Sequence, residues 1–78
     1  MNNPICFLQV PFRDHVQESY ETSGRHATMR AKQLRKAGFQ VFVESMGSQI
    51  TSVGSIRLSL LTAYGDMDNL PAITIERI

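Results

Sequence analysis

The first apolar segment of the chain is the short run Ile5-Cys6-Phe7-Leu8-Gln9-Val10, which is followed by Pro11. A run this short and this apolar is typical of a buried strand rather than of a helix. Proline has no amide hydrogen to donate to a ladder, so Pro11 is expected to end the strand. The pattern therefore predicts a first strand over residues 5–10.

The next part of the chain has apolar residues at helical spacing. Five of them follow at intervals of four, seven, four and three positions and would share one helix face: Val16, Tyr20, Ala27, Ala31 and Leu34. Asp14 could cap such a helix, and Ser23 could cap a second one because the series is interrupted near Gly24. We expect a helix over residues 24–37, ended by Gly38, with one or two helical turns before it.

Alternation with a period of two predicts the strands of the second half. In Phe39-Gln40-Val41-Phe42-Val43-Glu44, successive side chains would point to opposite faces of a sheet. Residues 46–55 contain two glycines and four serines or threonines and predict a long hairpin loop, in which Ile50 and Val53 could still pair. A strand from residue 55 to Tyr64, a turn cluster over residues 65–71 and a last strand over residues 73–78 follow.

The order of these elements is β-α-β-β-β. We expect an α+β fold in which one main helix packs on a small mixed sheet of three to four strands. The strands before and after the helix are expected to be parallel, joined by a right-handed crossover. A chain of 78 residues has no room for a second core, so residues 1–78 are interpreted as a single domain.

A single helix can cover only one face of such a sheet. The other face is expected to carry Phe42 and Leu61, and no further segment of the sequence remains to cover it. Exposed apolar area on this scale usually marks a partner surface, and small domains often gain stability by association. The leading hypothesis is a non-enzymatic interaction module that self-associates or docks a protein partner through Phe42, Leu61 and their strand neighbours.

The net charge is only +1, from eight basic and seven acidic side chains, so overall charge does not select nucleic acid or lipid as a partner. Five basic residues cluster on the predicted helix: Arg25, Arg30, Lys32, Arg35 and Lys36. They could contact phosphates, which makes a small nucleic-acid-binding protein the alternative hypothesis. The simpler interpretation is a solvated helix face, with Arg35 and Lys36 favourably placed near the helix C-terminus.

No pattern of residues predicts catalysis, a metal or a cofactor. Cys6 is the only cysteine, and with His15 and His26 it lacks the close ligand pairs of a zinc site. Both histidines are interpreted as surface residues, and Cys6 as a buried one. The segment Asp66-Met67-Asp68-Asn69 lacks the glycine and glutamate of a calcium loop and fits a turn. We expect no enzymatic activity, no cofactor and no small-molecule substrate.

The chain has no stretch near the roughly 18–20 apolar residues that span a bilayer. Residues 1–10 contain no Lys or Arg and only a short apolar run, unlike a signal peptide. A lone cysteine suits a reducing compartment. We therefore expect a cytoplasmic protein with no membrane association.

The stretch Ala31-Lys32-Gln33-Leu34-Arg35-Lys36-Ala37-Gly38-Phe39-Gln40-Val41-Phe42-Val43-Glu44 resembles the helix-to-strand passage of SPOR-type peptidoglycan-binding domains. Phe7-Leu8-Gln9-Val10 loosely resembles their first strand, so the resemblance covers about half of the chain. The residues after Tyr64 are expected to be too few for the second helix and final strand of that family. The family is therefore not assigned.

Overall fold

The structure is a computed structural model that describes residues 4–21, 25–51 and 54–76. Within these residues the elements follow one another in this order: β1 (Ile5–Cys6), β2 (Leu8–Pro11), β3 (His15–Glu21), α1 (His26–Lys36), β4 (Gln40–Thr51), β5 (Gly54–Tyr64), a short 3-10 helix (Met67–Asn69) and β6 (Thr74–Ile75). Strands β2, β3, β5 and β4 form an antiparallel sheet in that spatial order, while β1 and β6 pair in parallel. The predicted α+β class is confirmed.

The segment from His15 to Glu21 is a strand, so the helical turns predicted before residue 24 are wrong. Val16 and Tyr20 are buried, and their spacing of four suits a helix and a strand equally well. Glu18, between them, is buried as well, which gives the period of two that defines a half-buried strand. A charged residue at an inward position concealed this alternation in the sequence.

Strand β3 also changes the element order and the pairing around the helix. The predicted order β-α-β-β-β had one strand before the helix, whereas the described residues have three. Strands β3 and β4 both run antiparallel to β5, which lies between them, so β3 and β4 point in the same direction. The helix therefore connects two parallel strands that are not neighbours, and the chain returns through β5 to fill the space between them.

Helix α1 ends as the sequence predicts. The Phe39 amide donates to the Leu34 carbonyl at 2.9 Å, and the Gly38 amide donates to the Arg35 carbonyl at 3.1 Å. These two bonds form a Schellman motif, which needs a left-handed residue after the cap. Gly38 supplies that conformation with φ of 95°. The predicted start of the helix at Ser23 and Gly24 lies outside the described residues.

Strands β4 and β5 form a longer hairpin than the sequence predicts. Their pairing continues to Thr51 opposite Gly54, so the loop predicted over residues 46–55 is wrong. The pairing slips at a bulge between Ser45 and Gly47, where Gly47 has φ of 78°. Small polar residues suggested a loop, but the backbone ladder does not require apolar side chains. Ile50 pairs with Ser55, whereas Val53 lies outside the described residues.

The core lies between α1 and one face of the four-stranded sheet. Its buried apolar side chains come from β1, β3, α1, β4 and β5: Cys6, Val16, Tyr20, Ala27, Ala31, Leu34, Phe39, Val41, Leu61 and Ala63. The small side chains of Ala27 and Ala31 allow the helix backbone to approach the sheet closely. Among the described residues, this leaves the second face of the sheet without a covering helix.

The C-terminal part of the described chain closes the edge of the core. Asp66 accepts a hydrogen bond from the Asp68 amide at 3.1 Å and another from the Asn69 side chain at 3.0 Å. These bonds hold the 3-10 helix, in agreement with the predicted turn cluster. The chain then pairs β6 with β1, so Thr74 and Ile75 are the described residues of the predicted last strand that form strand, and residues 77–78 lie outside the described residues.

Candidate protein interface

The face of the four-stranded sheet that points away from α1 is named the open face here. The large apolar side chains that it carries are Leu8, Val10, Phe12, Phe42, Leu58, Leu60 and Tyr64. Leu8, Phe12 and Phe42 are 57%, 45% and 53% exposed, which is unusual for side chains of this size in a strand or tight turn. The open face therefore carries several exposed apolar side chains, with uncharged polar residues of β3 and β5 between them.

Four rings form a row along one end of the open face. The Phe12 and His15 rings stack with centroids 4.4 Å apart, and the His15 and Tyr64 rings stack at 4.9 Å. Phe42 meets the edge of Tyr64 in a T-shaped contact at 6.1 Å. Offset and edge-to-face pairs at these distances are the favoured geometries of aromatic side chains. The row presents a preformed aromatic surface.

The pairing register of the strands places the rings of this aromatic row next to one another. His15 lies directly opposite Tyr64 in the β3–β5 pair, and Phe42 is displaced by two residues from the partner of Tyr64 on β4. Phe12 is added by the tight turn after β2, where its amide donates to the His15 carbonyl at 2.7 Å. The row thus draws on three strands and a turn, and each ring is fixed by backbone pairing.

Asp14 orients the imidazole in the middle of the row. The His15 Nδ1 atom lies 2.7 Å from the Asp14 carboxylate, and donation of this hydrogen bond lowers the pKa of Asp14. The side chain of His15 is 21% exposed, while that of Asp14 is 76% exposed. The sequence interpretation of His15 as a surface residue missed its role as a spacer between two aromatic rings. Recognising it required β3 to be identified as a strand.

Besides Asp14, which is bonded to the aromatic row, the described strands of the open face carry two outward-facing carboxylates. Glu21 pairs with Leu58 and Glu44 pairs with Leu60, which places both carboxylates toward the other end of the face. Between the two ends lie Gln17 and Thr62, which are partly exposed and uncharged. The middle of the open face is therefore free of charge, as the centres of protein interfaces usually are.

The two residues predicted to form the interface lie on opposite faces. Phe42 is on the open face as predicted, but Leu61 is fully buried under α1, so its assignment to the exposed face is wrong. On β5 the inward positions are Ser59, Leu61 and Ala63, while Leu58 and Leu60 point outward. The sequence gives the opposite impression because the inward-facing Ser59 is polar and the outward-facing leucines are apolar.

The interior next to Ser59 is polar because it contains a buried ion pair. Arg30 donates from Nε to Glu18 Oε1 and from Nη2 to Glu18 Oε2, both at 3.0 Å. The Tyr20 hydroxyl and the Gln9 amide donate to the same carboxylate at 2.5 and 2.7 Å. Arg30 also donates to the Gln33 side chain at 2.7 Å and to the Pro71 carbonyl at 2.8 Å. This network joins the sheet, the helix and the C-terminal segment.

Arg30 cannot contact a phosphate as predicted, because its side chain lies in the buried pair and has no exposed surface. The other four predicted residues are exposed on or beside α1: Arg25, Lys32, Arg35 and Lys36. They lie on the side of the molecule opposite the open face. The aromatic surface and the cationic surface therefore cannot contact one flat ligand together.

Cys6 and His26 have structural partners rather than a reactive setting. Burial, with a further contribution from the charge of Glu18, raises the pKa of Cys6 to about 11. His26 accepts a hydrogen bond at Nδ1 from the Ile5 amide at 3.1 Å, which ties α1 to β1. No group of three His, Cys, Asp or Glu side chains that could hold a metal occurs in the described parts of the chain.

A further concavity is an open cleft of about 280 Å³ whose described lining residues are Pro4, Gln33, Ala72, Ile73 and Thr74. None of these described lining residues is ionisable. In residues 4–21, 25–51 and 54–76, no helix is long and apolar enough to cross a membrane. No family model, curated protein or solved structure matches the chain.

Proposed function

We propose that the chain is a small non-enzymatic interaction module whose open face binds a protein surface. The observation that carries the proposal is the row of Phe12, His15, Tyr64 and Phe42, which is fixed by strand register and exposed to solvent. Rigid aromatic side chains supply large contact area at little entropic cost and are enriched in protein interfaces. The chemistry that fits this face is another apolar surface with few charges.

Charge placement favours protein over nucleic acid or an anionic membrane as the ligand of the open face. Both ligands carry phosphates and require nearby Lys or Arg side chains. The strands of the open face carry Glu21 and Glu44 instead, whereas the exposed cations of α1 are on the other side. The proposal also retains a reducing cytoplasmic setting, which is supported by the single, buried cysteine.

The accessibility of the open face is tested with a fluorescent dye that binds apolar surfaces. The double variant Phe42→Ser with Tyr64→Ser should lose most dye fluorescence, because it removes two rings of the row. Ile50→Ser is the matched control, since Ile50 is 93% exposed but lies on the hairpin away from the row. Both proteins are measured at a concentration low enough for the monomer to predominate, and equal dye binding by the wild-type chain and the double variant would then contradict the proposal.

A second candidate function is nucleic-acid binding by α1. It is favoured by the four exposed cations Arg25, Lys32, Arg35 and Lys36 and by the lack of any acidic residue between them in the sequence. Binding should weaken steeply between roughly 50 and 200 mM salt, because phosphate contacts release counterions. Lys32→Glu with Lys36→Glu should abolish a gel shift, while Arg13→Glu with Arg57→Glu makes the same charge change elsewhere and should preserve it. Equal loss in both double variants would exclude a specific helix site.

A further inference from the structure

We infer that the protein surface bound by the open face is the open face of a second copy of this chain. The inference rests on the proposed function and names its partner. In the pair, the two sheets pack face to face about a two-fold axis that lies between them, perpendicular to the strands. Each strand then lies over the reversed copy of itself, and the two α1 helices remain on the outside.

The first argument is that the open face is complementary only to itself among the described surfaces. The opposite side of the molecule is formed by helix α1, which together with the preceding Arg25 exposes four cations. The sheet has two edges: β2, which has only four residues and ends in Pro11, and the long strand β4, which is interrupted by the bulge between Ser45 and Gly47. The Arg35 guanidinium also approaches the Val41 carbonyl of that strand at 3.5 Å. Bulges and charged side chains at an edge oppose edge-to-edge pairing, which leaves face-to-face packing.

The second argument is area. The four strands of the sheet contain 4, 7, 12 and 11 residues. With about 4.8 Å between strands and about 3.3 Å per residue, the flat projection of these residues is about 540 Å², and roughly a third of it is the hairpin end around Ile50, which lies outside the proposed contact. Accessible area exceeds a flat projection because side chains stand up from the sheet. The contact area of the open face is therefore below the ~800 Å² that each partner contributes to a standard interface and falls in the range of small, reversible interfaces.

The third argument concerns charge and fixes the orientation. The aromatic end of the face has one cation, Arg13, and one carboxylate, Asp14, which is bonded to His15, whereas Glu21 and Glu44 lie toward the other end. A two-fold axis parallel to the strands would place the acidic end of one copy over the acidic end of the other copy. An axis perpendicular to the strands places it over the partner's aromatic end, where His15 lies. The arrangement with the axis perpendicular to the strands is favoured, because it keeps the carboxylates of the two acidic ends apart.

The fourth argument is the small size of the core. Three of the ten buried apolar residues are alanines, and an ion pair occupies part of the interior. Domains of this size commonly obtain additional stability from a partner subunit. Dimerisation would cover the aromatic row in both copies, so folding and association would be coupled by mass action.

The experiment is sedimentation equilibrium of the full chain between roughly 1 and 200 µM, together with thermal unfolding at both concentrations. We expect a monomer–dimer equilibrium and a higher Tm at the higher concentration. Phe42→Ser with Tyr64→Ser should raise the dimer Kd about 100-fold or more, since aromatic residues dominate interface energies. Ile50→Ser should leave the Kd within about threefold, as expected for a side chain outside the interface.

A second variant, Thr62→Lys, guards against loss of folding in the aromatic double variant. Thr62 is near the middle of the open face, and a lysine there would add charge to both copies while every ring remains. It should also give a folded monomer, verified by circular dichroism. A dimer that persists in Thr62→Lys and in the aromatic variant would overturn the inference.

The outcomes distinguish a failure of the dimer inference from a failure of the proposed function. A wild-type monomer at every concentration that still binds the dye through Phe42 and Tyr64 would exclude the second copy and retain an open face for another protein. A wild-type monomer that binds no dye would exclude both.

Discussion

Glu18 on β3 and Arg30 on α1 form a bidentate ion pair with no exposed surface on either side chain. The pair stands in the layer between helix and sheet, where apolar side chains would otherwise pack. Every oxygen of the carboxylate accepts two hydrogen bonds within the network, so the charge is compensated in place. The pair fixes the distance and the rotation of α1 relative to β3 and β5.

Removing one member of this pair should destabilise the fold strongly. Arg30→Met leaves the Glu18 carboxylate buried with no countercharge, and we expect a loss of about 3–5 kcal/mol in the free energy of unfolding. Urea denaturation followed by circular dichroism measures it. The adjacent exposed Lys32→Met is the control and should change stability by less than about 0.5 kcal/mol.

Replacing both partners separates charge compensation from packing. The double variant Glu18→Leu with Arg30→Met removes both charges and should be more stable than Arg30→Met alone, because no unpaired ion remains. If the double variant is instead less stable than the single one, the pair contributes mainly through its bonds to Gln9, Gln33 and Pro71 rather than through charge compensation.

Cys6 should react slowly with alkylating reagents in the folded protein. Its pKa of about 11 leaves very little thiolate at neutral pH. At about pH 8 we expect alkylation about 100-fold slower than in the unfolded chain, measured by mass spectrometry. The same alkylation rate in the folded and unfolded states would show that Cys6 is not buried and that its pKa is not raised.

The raised pKa of Cys6 also gives a pH dependence of stability. Folding favours the neutral thiol, so its contribution is complete below the ordinary value of 9.0 and is lost as pH rises toward 11. Burial, with a lesser contribution from Glu18, likewise raises the pKa of Tyr20, which adds to the loss at high pH. Urea midpoints should fall above about pH 9 and fall less in Cys6→Ala.

The sequence predicted the parts of the fold that depend on local patterns. The α1 helix, its termination at Gly38 and strand β4 follow from spacing, from glycine conformation and from alternation. Strand β3 could not be predicted in this way, because its inward Glu18 is compensated by a residue twelve positions later. A polar interior can be recognised only when both partners are placed in three dimensions.

The candidate interface was predictable only in part for the same reason. A single helix implied an uncovered face, and Phe42 was assigned to it correctly. Phe12, His15 and Tyr64 come together only through the pairing of β3 with β5 and the turn after β2. Because β3 was interpreted as helix, no local signal could place these rings side by side.

Gly38 should be intolerant of side chains for conformational reasons alone. A Cβ atom at this position would meet no atom within 4 Å, so no steric contact with the rest of the protein opposes it. Its φ of 95° nevertheless disfavours any L-residue with a side chain. Gly38→Ala should cost about 1–2 kcal/mol in urea denaturation. Gly38→Asn should cost less, since asparagine adopts left-handed conformations more readily.

Leu60 and Leu61 provide the sharpest test of which face of β5 is buried. Leu61 lies in the core under α1, and Leu61→Ala should cost about 2–5 kcal/mol because it leaves a cavity. Leu60 is only partly buried on the open face, so Leu60→Ala should cost about 1 kcal/mol or less. Both changes remove the same atoms from adjacent residues of one strand, so the difference reports their surroundings alone. Urea denaturation at low protein concentration keeps association out of the measurement. A larger loss of stability in Leu60→Ala than in Leu61→Ala would mean that the register of β5 is shifted by one residue. Such a shift would move Tyr64 to the helix side and separate it from the other rings of the aromatic row.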